Sequence, residues 1–194
     1  MDDGVGLENQ SSDLSLPWVR IPPSPQMREI HPFGSFIPKN CRYLILGTFP
    51  GKKNKENNWF YGSKKNQFWI ILENVYKQNL NTISEKKGFL KEYKIAITDT
   101  ISSCIRKENT NLDTNLVNIV YNDNLIKKIL KENKIEIIFF TSRFAEKLFI
   151  KQMKKDTLLY SKSKLCLLPS PSPRYAKLSL SDKIIRYKKL LPKI

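Results

Sequence analysis

Four short apolar runs rich in β-branched residues punctuate the chain: Tyr43–Gly47, Ile95–Thr98, Ile135–Phe140 and Leu165–Leu168. Their apolarity hardly alternates, so each strand they form must be covered on both faces. The stretches between them carry apolar residues at helical spacing: Phe68, Ile71, Leu72 and Val75 within 66–77; Leu125, Ile129 and Leu130 within 122–133; Phe144 and Leu148 within 143–154; Ile184, Ile185 and Leu190 within 180–191. Strands that alternate with helices pair in parallel, because the helix supplies the crossover and then covers a sheet face. The expected fold is therefore α/β, a three-layer α/β/α sandwich around a central four-stranded, mainly parallel sheet. Ligands in such sheets bind beyond the carboxyl ends of the strands, so the chemistry is expected in the segments that follow each run.

The chain has 194 residues, enough for one domain, with 34 Lys and Arg against 18 Asp and Glu, a formal charge of +16. That imbalance favours a polyanionic partner, nucleic acid first. With 40% hydrophobic residues the chain is too apolar for a disordered basic tail. Cys41, Cys104 and Cys166 are far apart and His31 is the only histidine, so neither a disulfide framework nor a zinc site is expected. Neither metal nor cofactor is expected, catalysis is expected to proceed without histidine, and His31 and Cys104 are expected to be structural. No run of 18 apolar residues and no secretory pattern is present, which implies no membrane contact and a reduced, cytoplasmic setting. Residues 1–26 differ from the rest, holding net −3 while the remainder holds 33 basic against 14 acidic side chains. They are expected to be a disordered leader or a start codon taken too early, since Trp18–Pro23 can be encoded by a string like a transfer-RNA T-arm. The functional domain is expected over 27–194.

The post-strand segments exclude several chemistries. Gly47-Thr48-Phe49-Pro50-Gly51 fixes a tight turn but has neither the spacing nor the lysine of a nucleoside-triphosphate loop, and no G-x-S-x-G elbow is present. After the fourth run, Pro169, Pro171 and Pro173 stiffen a loop whose intervening residues are the serines Ser170 and Ser172.

Four motifs in order, Leu44–Gly51, Phe60-Tyr61-Gly62 with Asn66 and Phe68-Trp69, Asp99–Cys104 followed by Leu112-Asp113, and Leu168–Pro173, make residues 31–190 resemble the uracil-DNA glycosylase superfamily. The likeness is greatest to its hypoxanthine (deoxyinosine) and mismatch-specific uracil branch. The resemblance implies an enzyme that flips a deaminated nucleotide out of DNA and hydrolyses its N-glycosidic bond, leaving an abasic site for base excision repair. Many relatives position water with a polar residue where this chain has Phe49, which cannot do so. The hypoxanthine branch implies Asn66 instead as the catalytic residue, and Asn66 also suits a helix N-cap. Asp99 is a second catalytic candidate, with an N-cap of a Thr100–Cys104 segment as its structural alternative. The base pocket implied is Gly47, Thr48, Phe49, Pro50, Gly51 and Tyr61: Tyr61 stacking on the base, Phe49 as a second wall or core residue, Thr48 and Gly51 offering a hydroxyl and amides. Trp69 is assigned to the core. The DNA-binding set implied is Ser170, Pro171, Ser172, Arg174 and Lys64, with the serines on phosphates and Arg174 or Tyr175 entering the minor groove. Lysine runs at 52–55, 64–65, 127–128 and 154–155 would add salt-sensitive backbone attraction.

The expected molecule is a monomeric, monofunctional hydrolase acting on double- or single-stranded DNA. Two other classes are consistent with the residues. A non-catalytic binder of damaged or modified DNA would show base-dependent affinity without base release, and Lys64, where relatives have proline, fits it as well. An enzyme of free nucleosides would leave the +19 of the domain without a purpose.

Overall fold

The structure is a computed structural model that describes residues 27–52, 58–108 and 110–193. The leader 1–26, and Lys53 and Lys55 of the first lysine run, lie outside the described residues. The strands are β1 (Arg28–Ile30), β2 (Ser35–Phe36), β3 (Tyr43–Gly47), β4 (Ile95–Asp99), β5 (Ile101–Arg106), β6 (Leu116–Tyr121), β7 (Ile137–Phe140) and β8 (Lys164–Leu167). The helices are α1 (Phe68–Tyr76), α2 (Ile83–Glu92), α3 (Asp123–Glu132), α4 (Arg143–Gln152) and α5 (Leu180–Leu190).

The four expected strands are β4, β3, β7 and β8, parallel and in that spatial order. The expected count of four is corrected to five, because β2 adds to the β4 edge antiparallel through Ser35 and Phe36 alone, too short a segment to show any period. The strands carry two cores. One lies among Ile45, Phe68, Leu72, Phe89, Ile97, Phe139 and Tyr187, and the other among Leu44, Leu46, Ile126, Ile129, Ile138, Phe140 and Phe149. Successive β3 residues alternate between them, as a pleated strand buried on both faces must.

A second sheet, β1-β5-β6, is antiparallel throughout. It corrects the capping alternative for Asp99: residues 101–106 form a strand, so no helix begins there, and Asp99 is the last residue of β4. Helix α2, also unexpected, is started by a capping box in which Thr82 and Glu85 satisfy each other's backbone amides. It buries only Phe89 and Leu90.

Parallel pairing sets Gly47 beside Asp99 and Leu46 beside Phe140, and Phe140 beside Leu167. The carboxyl ends of β4, β3, β7 and β8 therefore form one edge. Every site candidate named from sequence lies on the segments leaving this edge or on the turn 61–66.

Candidate active site

Gly47 ends β3 where space is shortest. A methyl group there would overlap Asp99 Oδ1 and come 2.6 Å from the Tyr61 hydroxyl, so only glycine lets both approach the strand end. Asp99 is 5% exposed, and its other oxygen, Oδ2, lies 2.8 Å from His31 Nε2. The Tyr61 ring stacks on Phe68 with centroids 4.2 Å apart, and its hydroxyl pairs with Thr141 Oγ1 at 2.9 Å. Tyr61 adopts a left-handed φ of 54°, which turns the chain back toward α1. Burial first, and the Asp99 carboxylate second, push the Tyr61 phenol well above its ordinary pKa, so it remains protonated.

Asn66 stands two residues before Phe68, and its Oδ1 accepts the Phe68 N–H at 2.9 Å. It thus supplies the capping contact that the cap residue Gln67 does not make. That bond identifies the amide oxygen, and the Asn66 NH2 is left without a hydrogen bond to any described residue. Capping therefore orients a side chain whose donor stays open. Asn66 and Tyr61 are held through the same residue, Phe68, one by its amide and the other by its ring.

The remaining pocket residues are bound among themselves. Thr48 Oγ1 donates to Asp113 Oδ2 at 3.0 Å and lies 3.1 Å from Ser142 Oγ, while the Ser142 Oγ accepts the Ala145 N–H to start α4. Burial raises the Asp113 pKa above the usual carboxylate value, partly offset by the Thr48 hydroxyl. Asp113 was part of a motif in the sequence but had no role there; its register against Thr48, 65 residues upstream, carries no local signal. The Pro50 carbonyl accepts from Arg106 Nη2 at 2.9 Å, and Arg106 also grips both oxygens of Glu29 on β1. Gly51 lies against Asn111, whose Oδ1 accepts the Lys52 N–H. The Phe49 ring meets His31 edge-on at 5.7 Å and lies under the Arg106 guanidinium. Trp69 is core, stacked on Trp59 at 5.7 Å. His31 itself is 5% exposed in its side chain and is ringed by Phe33, Phe49 and Phe60.

The loop after β8 is fixed from within and from behind. The Ser170 and Ser172 hydroxyl oxygens accept the N–H groups two residues on, at 3.3 Å each, which leaves their O–H hydrogens free to donate. Pro171 is buried and its carbonyl accepts the Gln67 N–H at 2.9 Å. Lys183 of α5, only 1% exposed, donates to Gln67 Oε1 at 2.7 Å and to the Ser172 carbonyl at 3.1 Å, and Tyr187 donates to the Pro169 carbonyl. Burial lowers the Lys183 pKa. The sequence showed Lys183 only as a polar helix residue, and its role depends on tertiary packing. Arg174 and Lys64 are exposed, and Arg174 makes no side-chain hydrogen bond or ion pair with the described residues.

Behind this loop opens a cavity of about 650 Å³ with a floor of Leu167, Leu168, Pro169 and Leu190 and with Arg143, Arg186 and Lys189 in its lining. None of these three cations makes a hydrogen bond or salt bridge within the described residues. The cavity adjoins the strand-end cluster at Ser142 and Ser170, while Asn66, Asp99 and Tyr61 lie outside it. Cys41, Cys104 and Cys166 are free, buried thiols with pKa values raised by burial, as inert structural cysteines should be. No helix among the described residues is long and apolar enough to cross a membrane.

The chain is 27% identical over 113 residues to the hypoxanthine DNA glycosylase of Methanosarcina barkeri, covering 57% of this chain and 70% of the relative. Its fold matches the solution NMR structure of a candidate uracil DNA glycosylase from Methanosarcina acetivorans with a TM-score of 0.63 at 22% identity, over 84% of this chain and 98% of that one. The sequence profile of the uracil DNA glycosylase superfamily matches residues 34–190, more than three quarters of the chain, and the protein belongs to that superfamily.

Proposed function

We propose that the protein is a monofunctional DNA N-glycosylase that removes hypoxanthine or uracil from a flipped nucleotide and leaves an abasic site, acting as a cytoplasmic monomer in base excision repair. The observation that carries this reading is the Asn66 carboxamide, whose oxygen is spent on the Phe68 N–H at the start of α1 and whose NH2 makes no hydrogen bond to the described residues. The N-glycosidic bond breaks with its electron pair leaving on the base, and the sugar becomes an oxocarbenium ion. Asn66 donates to the departing base or its carbonyl edge, Tyr61 and Phe49 bound the pocket, and Asp99 faces the sugar. Its carboxylate stabilises the cation and takes a proton from the water that adds to the anomeric carbon. Lys183 is committed to Gln67 and Ser172 and offers no free amine for a Schiff base. The free O–H groups of Ser170 and Ser172, with Arg174, Lys64, Arg143, Arg186 and Lys189, carry the phosphates.

The test is an alkaline-cleavage assay in EDTA on duplexes with one hypoxanthine, one uracil, a thymine mismatch or no lesion. Abasic sites in one lesion duplex are expected, with the rate falling about 100-fold or more in Asn66→Ala while binding persists. Binding without release from any duplex would replace this reading with a non-catalytic lesion binder.

A further inference from the structure

The only histidine of the chain is held in a single orientation. His31 Nδ1 lies 3.2 Å from the Phe33 N–H and 3.1 Å from the Gly34 N–H, two backbone donors converging on one ring nitrogen. A nitrogen that accepts two N–H groups carries no proton, so the hydrogen of the neutral ring is on Nε2. That nitrogen donates to Asp99 Oδ2 at 2.8 Å. The backbone N–H of His31 donates separately to the Ser102 carbonyl at 2.8 Å, which ties the chain at the ring to β5. Phe33, Phe49 and Phe60 surround the ring at centroid distances of 5.6–5.9 Å and limit its rotation and its access to water. The same bond accounts for both oxygens of Asp99: with Oδ2 occupied by His31, Oδ1 is the oxygen left at the Gly47 strand end and the site.

We infer that His31, in its neutral Nε2–H form, is the positioning residue of Asp99, turning one carboxylate oxygen toward the sugar of the bound nucleotide. The inference rests on the glycosylase reading for the role of Asp99 and adds a residue from outside the strand-end motifs. The His31 ring neither contacts substrate nor transfers a proton: it donates one hydrogen bond and receives two. The other titratable groups about Asp99 are the Tyr61 phenol, the Asp113 carboxyl and, beyond it, the Arg106 guanidinium. His31 alone among them has a ring nitrogen on the carboxylate.

One histidine in the chain makes the test clean. Long-range proton–nitrogen spectra of the labelled full chain at pH 7 should show the neutral Nε2–H tautomer, and Asp99→Asn should move the Nε2 resonance. The Nδ1–H tautomer, or an Nε2 resonance indifferent to Asp99→Asn, overturns the pairing. In the base-release assay, His31→Phe keeps an aromatic ring among the phenylalanines but removes the donor. It should lower kcat about tenfold and leave KM within twofold. His31→Gln, which keeps a donor at similar reach, should recover most of the rate. If wild type releases base and His31→Phe matches it in kcat, the positioning role is overturned while the glycosylase reading stands. If wild type releases no base, that reading fails and this role falls with it.

Discussion

Over β3 and β4 the sheet edge holds two carboxylates, a histidine and a ring of aromatic side chains; over β7 and β8 it holds serines, prolines and three cations that make no hydrogen bond or salt bridge among the described residues, around an apolar floor. The first half is knit so closely that Thr48, Asp99, Asp113 and His31 spend hydrogen bonds on one another or on the backbone, and Tyr61 spends its hydroxyl on Thr141. The second has a loop fixed at its base and polar groups left open at its surface. The contrast separates two tasks that one edge must perform. Bond breaking needs groups held to a fraction of an ångström, whereas gripping a charged polymer needs charges free to meet it.

If that division holds, substitutions on the two sides should damage different observables. Asp99→Asn should cut the single-turnover excision rate roughly 100-fold with duplex affinity retained, since only a charge that acts on the transition state is lost. A variant at full rate would remove Asp99 from the chemistry. On the other side, reversing Arg143, Arg186 and Lys189 to glutamate together should weaken duplex binding by roughly ten- to a hundredfold near 0.1 M salt and flatten the slope of log affinity against log salt by about 2–3. The excision rate at saturating enzyme should not move, and a matching rate loss would collapse the distinction. Lys183→Met, at the boundary, leaves the Gln67 and Ser172 acceptors unmatched and should cost about 1–3 kcal/mol of stability. It should also raise KM more than it lowers kcat.

The smallest effect tests the acidic side through stability alone. The folded-state pKa of Asp113 lies above that of the unfolded chain, so the folded protein holds this proton more tightly. Stability from this group is full below the ordinary carboxylate value of about 3.9 and is lost as pH rises through the raised folded value. Asp113→Asn should therefore raise Tm by a few degrees at neutral pH and remove that share of the pH dependence, checked by thermal melts from pH 4 to 8.

The same contrast marks what could be read from residues alone. The four parallel strands were legible because burial on both faces leaves an unbroken apolar run, as in Leu44-Ile45-Leu46. The small antiparallel sheet was not: β5 carries Ser102 and Ser103 amid register shifts, which break its alternation, and β2 is two residues long. Helix α2 did have a signal in Thr82 and Glu85, but Gly88 and few buried positions mask its period. In the site, the contact of Asn66 with the start of α1 was legible as a link between residues two apart, although the N-cap is Gln67 and Asn66 stands one residue before it. The pairs Thr48 with Asp113 and His31 with Asp99 span 65 and 68 residues and exist only once the sheet has closed.

The boundary of homology and the boundary of the working part need not coincide. The family match starts at residue 34, three residues downstream of His31 and beyond β1 with its Glu29 clamp on Arg106. A recombinant fragment trimmed to the shared module would retain all five strands of the main sheet and still discard the ring bonded to Asp99.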